Sequence, residues 1–320
     1  MINRYLPEGM ILGTTENREY ISSVSGLERA IKEGAILEST VTLCDSNMRL
    51  HVDLYGVKGI IEKDECVFCR DGEEIKDIAV ITRVGKPICF KVLDVTFDKG
   101  IAIAHLSRRE AQKECINKKL MDLIAGDIIT SKVTHLENFG AFVDIGCGVA
   151  SLLSVDCISV SRISHPSDRL RVGDTINTII KSIDYRTGRI FVSMKELLGT
   201  WTENALRFEA GQTVAGVVRS IESYGVFVEL APNLAGLAEI REDTRDGEIA
   251  EVGKSVAVYI KSIIPDRMKI KLVLIDSYKG EPKRSGIEYF IDCKKVSHLN
   301  YWRYSTEGSK KTIETVFDII

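Results

Sequence analysis

An internal repeat constrains this chain more than any other feature, because a pattern that returns at a steady spacing must be one structural unit used several times. From Gly126, the residues Ile129, Ser131 and Val133 alternate and lead into Phe139-Gly140-Ala141-Phe142-Val143-Asp144. From Gly211 the template returns as Val214, Gly216 and Val218, then Tyr224-Gly225-Val226-Phe227-Val228-Glu229. The second aromatic follows its origin glycine by sixteen residues in both copies. From Gly34 a third copy reads Leu37, Ser39 and Val41, then Met48-Arg49-Leu50-His51-Val52-Asp53, one residue longer. The origins lie 92 and 85 residues apart, and Gly85, Gly173 and Gly253 open a later strand in each copy.

Each copy is a series of short period-2 segments separated by turn residues, the pattern of a small barrel or sandwich. In the middle copy strands are expected near 127–135, 140–146, 149–155, 174–184 and 189–194. The small residues Ser39, Ser131 and Gly216 share one inward position of the first strand, where barrel walls approach closely. Five strands in this order fit an oligonucleotide-binding (OB) barrel, so the expected fold is all-β: three tandem five-stranded barrels joined by short helices, with a small C-terminal appendage. Ser107-Arg108-Arg109-Glu110 and Ser193-Met194-Lys195-Glu196 have capping-box spacing and predict linker helices. A third such box, Ser25-Gly26-Leu27-Glu28, predicts a helix ending at Gly34. The expected divisions are an N-terminal extension 1–32, a first repeat 33–106, a linker helix 107–123, a second repeat 124–193, a linker helix 194–208, a third repeat 209–275 and an appendage 276–320.

Composition sets the boundaries for function. The 320 residues are 44% hydrophobic and 28% charged, with a net charge of −3. Any nucleic-acid contact must therefore rest on local basic groups and stacking rather than on a global field. No stretch approaches the roughly 20 apolar residues of a membrane span. The opening MINRYLPEGMILGTT is too polar for a secretory signal. Eight irregularly spaced cysteines suit reduced thiols in a cytoplasmic protein.

The aromatics carry the chemistry. In Ala141-Phe142-Val143-Asp144-Ile145 the alanine, valine and isoleucine share the inward face, so Phe142 and Asp144 are expected to point to water. Val226, Val228 and Leu230 likewise set Phe227 and Glu229 outward. Phe139 and Tyr224 begin the same strands on the same side. An outward aromatic pair on an OB barrel is a surface on which bases stack, at about 1–3 kcal/mol each. In the other register the same rings would be core. Lys132, Lys181, Arg186 and Arg189 in the middle copy, and Arg219, Lys261, Arg267 and Lys269 in the third, lie where a phosphate backbone could be tracked.

The segment from Gly126-Asp127 to Lys195 resembles the RNA-binding repeat of ribosomal protein S1, the S1 motif. The resemblance rests on Gly-Asp, Phe-Gly-Ala-Phe-Val-Asp, Val-Gly-Asp at 172–174, Ile-Asp at 183–184 and Gly-Arg-Ile at 188–190. It extends to the third copy and, more faintly, to the first. It implies RNA binding through two aromatics, a third-strand histidine, and an Asp and Arg flanking the last turn. These positions are Phe139, Phe142, Asp184 and Arg189 in the middle copy, and Tyr224, Phe227 and Lys269 in the third. Departures are Ser154, Glu239 and Glu62 in place of the histidine, Ile264 in place of the aspartate, and Met48 and His51 in place of the first copy's aromatics. The first copy is then either a protein-contact domain, as in the leading repeats of the family, or a degenerate structural repeat.

Cys66-Val67-Phe68-Cys69 is the only CxxC, and zinc usually takes two such pairs. The five histidines show no partner spacing, and no phosphate-cradling loop or nucleophile elbow is evident. The expectation is a non-enzymatic binder of single-stranded RNA, with mRNA and the small ribosomal subunit as partners in translation, and no cofactor, metal, membrane or small-molecule substrate. The alternative is a protein adaptor working through the first repeat and the appendage. Tyr289-Phe290 and Tyr301-Trp302-Arg303-Tyr304 of the appendage either extend the RNA surface or anchor it to a barrel.

Overall fold

In the computed structural model, which describes residues 5–69, 74–239, 251–277 and 286–317, the three repeats form three closed five-stranded barrels. The first contains β1 Leu37–Cys44, β2 Leu50–Leu54, β3 Val57–Ile61, β4 Pro87–Asp98 and β5 Ile101–Ser107. The second contains β6 Ile128–Glu137, β7 Gly140–Asp144, β8 Ala150–Ser154, β9 Thr175–Asp184 and β10 Arg189–Ser193. The third contains β11 Thr213–Glu222, β12 Gly225–Ala231, β13 Leu234–Ala238, β14 Ser255–Ile264 and β15 Lys269–Ser277. All three close in the same strand order, the third strand pairing in parallel with the fifth. The alternation read from the sequence fills their interiors: Leu50, Ile61 and Phe90 are fully buried in the first, Ala141, Val143 and Leu153 in the second, and Val218, Val228 and Val258 in the third. Closure leaves no sheet edge open, and each barrel supplies its own core.

The helices depart in detail from the expected ones. An unanticipated helix, α1 Thr15–Ile21, is capped by Thr14. The next, α2 Val24–Glu33, starts at Ser23 rather than Ser25, because the Ser23 hydroxyl accepts from Gly26 N at 3.0 Å. A short α3 spans Asp77–Ile81. Helix α4, Arg108–Lys118, takes its cap from Ser107 as the box suggests. The Glu110 carboxylate, though, lies against Arg109 and Lys113. The second linker is not one helix. Gly199 separates a 3-10 turn, Lys195–Leu198, from α5 Trp201–Ala205, and the reciprocal box is Thr200 with Glu203.

The chain divides into two compact units, Met1–Leu123 with Thr130–Lys132 and Asp144–Ala150, and the remainder from Ile124 to Ile320. In the first unit a buried carboxylate organises an N-terminal arm. Glu8 accepts from Arg108 Nε at 2.6 Å and Nη2 at 3.1 Å, and from Cys89 N at 3.2 Å. Its own N–H donates to Asp144 Oδ2 at 2.7 Å, and Asp144 also accepts from Gly146 N and Gly148 N. Asp144, expected in water, is therefore buried, because the arm covers that stretch of strand. Glu38 accepts from Gly9 N at 2.9 Å and Ile11 N at 3.0 Å.

In the second unit Glu229 is buried in the same way. It pairs with Arg169 and with Arg219, whose Nε lies 2.9 Å away. Beside it, Asn233 Oδ1 accepts from Val160 N, and its amide donates to Lys195 O and Gly199 O. The C-terminal segment runs as a strap over this unit. The Tyr289 hydroxyl accepts from Asn177 N, and Leu299 N donates to Gly126 O. Trp302 and Tyr304 are buried with the third barrel's core, near the small ribbon of β16 Tyr301–Arg303 and β17 Glu314–Val316. These two aromatics anchor the strap, whereas Tyr301 stays exposed.

Burial of Glu38 has a pH signature. Desolvation pushes its carboxyl up to about 7, against the opposing hydrogen bonds from Gly9 and Ile11. Between the unfolded carboxyl's range near 4.5 and that value, the folded chain holds a proton the unfolded chain has lost. Stability contributed by this group is thus present below the lower limit and falls as pH rises towards 7, by up to about 3 kcal/mol. Urea unfolding at pH 5 and pH 7.5 should show this loss in the wild type and a flatter profile in Glu38→Gln.

Candidate nucleic-acid interface

Two glycines determine where the aromatics go. A Cβ on Gly140 would lie 2.5 Å from Leu153 O, and one on Gly225 would lie 2.7 Å from Ala238 O. Only glycine lets the second and third strands of these barrels approach so closely. With Ala141 and Val143 locked inward, Phe142 faces outward and is half-buried, while Phe139 at the strand entrance is 55% exposed. The third barrel repeats this with Val226 and Val228 inside, Phe227 half-buried and Tyr224 61% exposed. Phe139 and Phe142 meet edge to face with centroids 6.1 Å apart at 89°, and Tyr224 and Phe227 at 6.2 Å and 88°. Two barrels thus present the same T-shaped pair, an arrangement aromatic rings favour. In each pair the ring at the strand entrance stands largely in solvent.

The last hairpin of the middle barrel supplies charge. Arg189 faces Asp184 across β9 and β10. The Asp184 carboxylate accepts from the Thr187 hydroxyl, Thr187 N and Arg186 N, which holds its pKa below the usual carboxylate range. Its role is to fix the turn that carries Arg186 and Arg189, both exposed. In the third barrel Lys269 is exposed opposite Ile264. Two neighbours were missed by sequence reasoning. Lys271 lies in register with Leu237, which itself faces Phe227, and Phe191 lies in register with Leu152. Both follow from alternation, since Ile270 and Ile190 between them and Lys269 and Arg189 are buried.

Two expected contacts are committed elsewhere. Lys132 Nζ donates to Glu8 O at 2.8 Å, so this lysine helps hold the N-terminal arm. The Arg219 side chain is only 9% exposed and is engaged by Glu229 and by Asp168 at 3.3 Å. A guanidinium already neutralised and desolvated has little to offer a phosphate. The first barrel has no aromatic pair. His51 and Arg49 converge on Asp45 at 3.0 and 2.8 Å, which holds the Asp45 carboxyl far below its ordinary range, the His51 bond contributing most. Glu62 and Glu239, at the family's histidine position, are exposed carboxylates, and Ser154 is half-buried. Among the described residues no group of three or more His, Cys, Asp or Glu is placed to hold a metal, and no helix is long and apolar enough to cross a membrane.

Residues 122–195 match the S1 RNA binding domain family. The chain is 35% identical over 208 residues to small ribosomal subunit protein bS1 of Staphylococcus aureus, covering 62% of this chain and 52% of that protein. It is 31% identical over 252 residues to the bS1 homolog of Bacillus subtilis, covering 75% and 63%. It therefore spans between half and two thirds of the length of these relatives. Among solved structures, GSP13 from Bacillus subtilis aligns with 23% of this chain and 57% of its own at 26% identity and a TM-score of 0.22. Residues 122–195 thus carry an S1 RNA binding domain, between two further five-stranded barrels in the sequence, in a chain similar to bS1 proteins.

Proposed function

We propose that this protein binds single-stranded RNA, chiefly through the middle barrel with the third assisting, and that it does so on messenger RNA at the small ribosomal subunit in the cytoplasm during translation. The observation that carries the reading is the T-shaped aromatic pair presented outward on two separate barrels. Rings so placed accept unstacked bases, which single strands offer and duplexes do not. The exposed Arg186, Arg189 and Lys269 neutralise phosphate locally, as a chain of net charge −3 requires. The S1 domain match and the similarity to bS1 proteins support both the ligand and the ribosomal setting. The role is binding rather than catalysis, since stacking and charge account for the surface without a reacting group.

A second role is favoured for the first barrel, where the Asp45 network replaces the rings. Its β4–β5 hairpin leaves Phe97 66% and Ile101 45% exposed, which suits protein contact. Proteins captured through this barrel should stay bound after ribonuclease treatment of a lysate.

Phe139→Ala and Phe142→Ala should each weaken binding of a single-stranded oligonucleotide by about 1–3 kcal/mol and leave the salt slope nearly unchanged, because stacking displaces no counterions. Arg189→Ala should lower the slope of log K against log salt by about 0.7 if the guanidinium holds one phosphate. Fluorescence anisotropy across a salt series reads both effects. Full affinity in the two phenylalanine variants would place the site elsewhere.

A further inference from the structure

The middle barrel carries a ring that the third does not. His135 on β6 lies parallel to Phe142, with centroids 6.5 Å apart and planes at 25°. Phe142 therefore meets Phe139 in a T-shaped contact and has the imidazole nearly parallel to it. The His135 side chain is 61% exposed, and its Nε2 lies 2.7 Å from the Glu137 carboxylate. A carboxylate only accepts, so Nε2 carries the proton and the ring plane is held in one orientation. In the third barrel the residue facing Phe227 across the strands is Ser220, which offers no ring.

A histidine that served only the fold would be covered and bonded within the barrel. This one stands in water, oriented by a neighbouring carboxylate and aligned with a platform ring. Holding the ring in place beforehand lowers the ordering cost of stacking against it. We propose that His135 is a third stacking surface of the middle barrel's RNA site, making it a three-ring platform where the third barrel has two. The inference rests on the RNA-binding reading above and identifies what makes the middle barrel the stronger of the pair. It also gives the exposed Glu137 a purpose, as the residue that sets the imidazole's orientation.

The test uses the full chain and a fluorescent single-stranded oligoadenylate. His135→Ala should weaken binding at least about fivefold, the lower end of what one stacked base contributes. His135→Phe, which keeps a ring but has no charge or polar nitrogen, should retain wild-type affinity. The melting temperature should be unchanged in both, since the side chain is exposed. Wild-type affinity in His135→Ala, alongside weakened binding in Phe142→Ala, would overturn the third surface while leaving the RNA reading intact. Equal losses in His135→Ala and His135→Phe would overturn a stacking role. No binding by the wild type would overturn both readings.

Discussion

The close approach of the second and third strands at Gly140 and Gly225 is the constraint on which the outward aromatic pairs depend. A side chain at either position would strike a backbone oxygen of the facing strand and force the pair apart. Contact there fixes the register, and register decides which residues face the core. With Ala141 and Val143, or Val226 and Val228, committed inward, the ring between them faces outward. The geometry of the two aromatic pairs agrees to 0.1 Å and 1° because the same backbone device produces both.

The same strands carry a carboxylate two residues beyond the second ring, and its fate differs by barrel. Asp144 is buried under the N-terminal arm and Glu229 under two arginines, whereas Asp53 of the first barrel is exposed. Burying a carboxylate is costly unless it is paired and hydrogen-bonded. Asp144 receives three backbone N–H groups, and Glu229 receives two guanidinium groups. One strand therefore does two things: its rings face solvent, and the acid further along receives a neighbouring segment.

The barrels, their number and the outward setting of the rings were legible in the sequence, because period-2 alternation and a repeated Phe-Gly-x-Phe or Tyr-Gly-x-Phe spacing report directly on strand geometry. The acids were misread for a physical reason. Alternation tells which side of a strand a residue takes, not whether another segment later covers that side. The internal engagement of Lys132 and Arg219 was not legible either: Glu8 and Asp168 are remote in sequence, and alternation alone does not pair Arg219 with Glu229 on the next strand. His135 gave no sequence signal, because its contact with Phe142 crosses between strands. The linker after the middle barrel broke at Gly199, and the true cap, Thr200 with Glu203, had the same spacing as the boxes that were noticed.

Bases are proposed to rest on the rings of the middle and third barrels. The most direct measurement is photo-crosslinking of the full chain to single-stranded RNA carrying 4-thiouridine, with the linked peptides mapped by mass spectrometry. Crosslinks are expected in 133–143 first and in 224–230 at lower yield, both competed by unlabelled RNA. Crosslinks confined to the first barrel or to the C-terminal strap, with those two segments unlabelled, would contradict that placement.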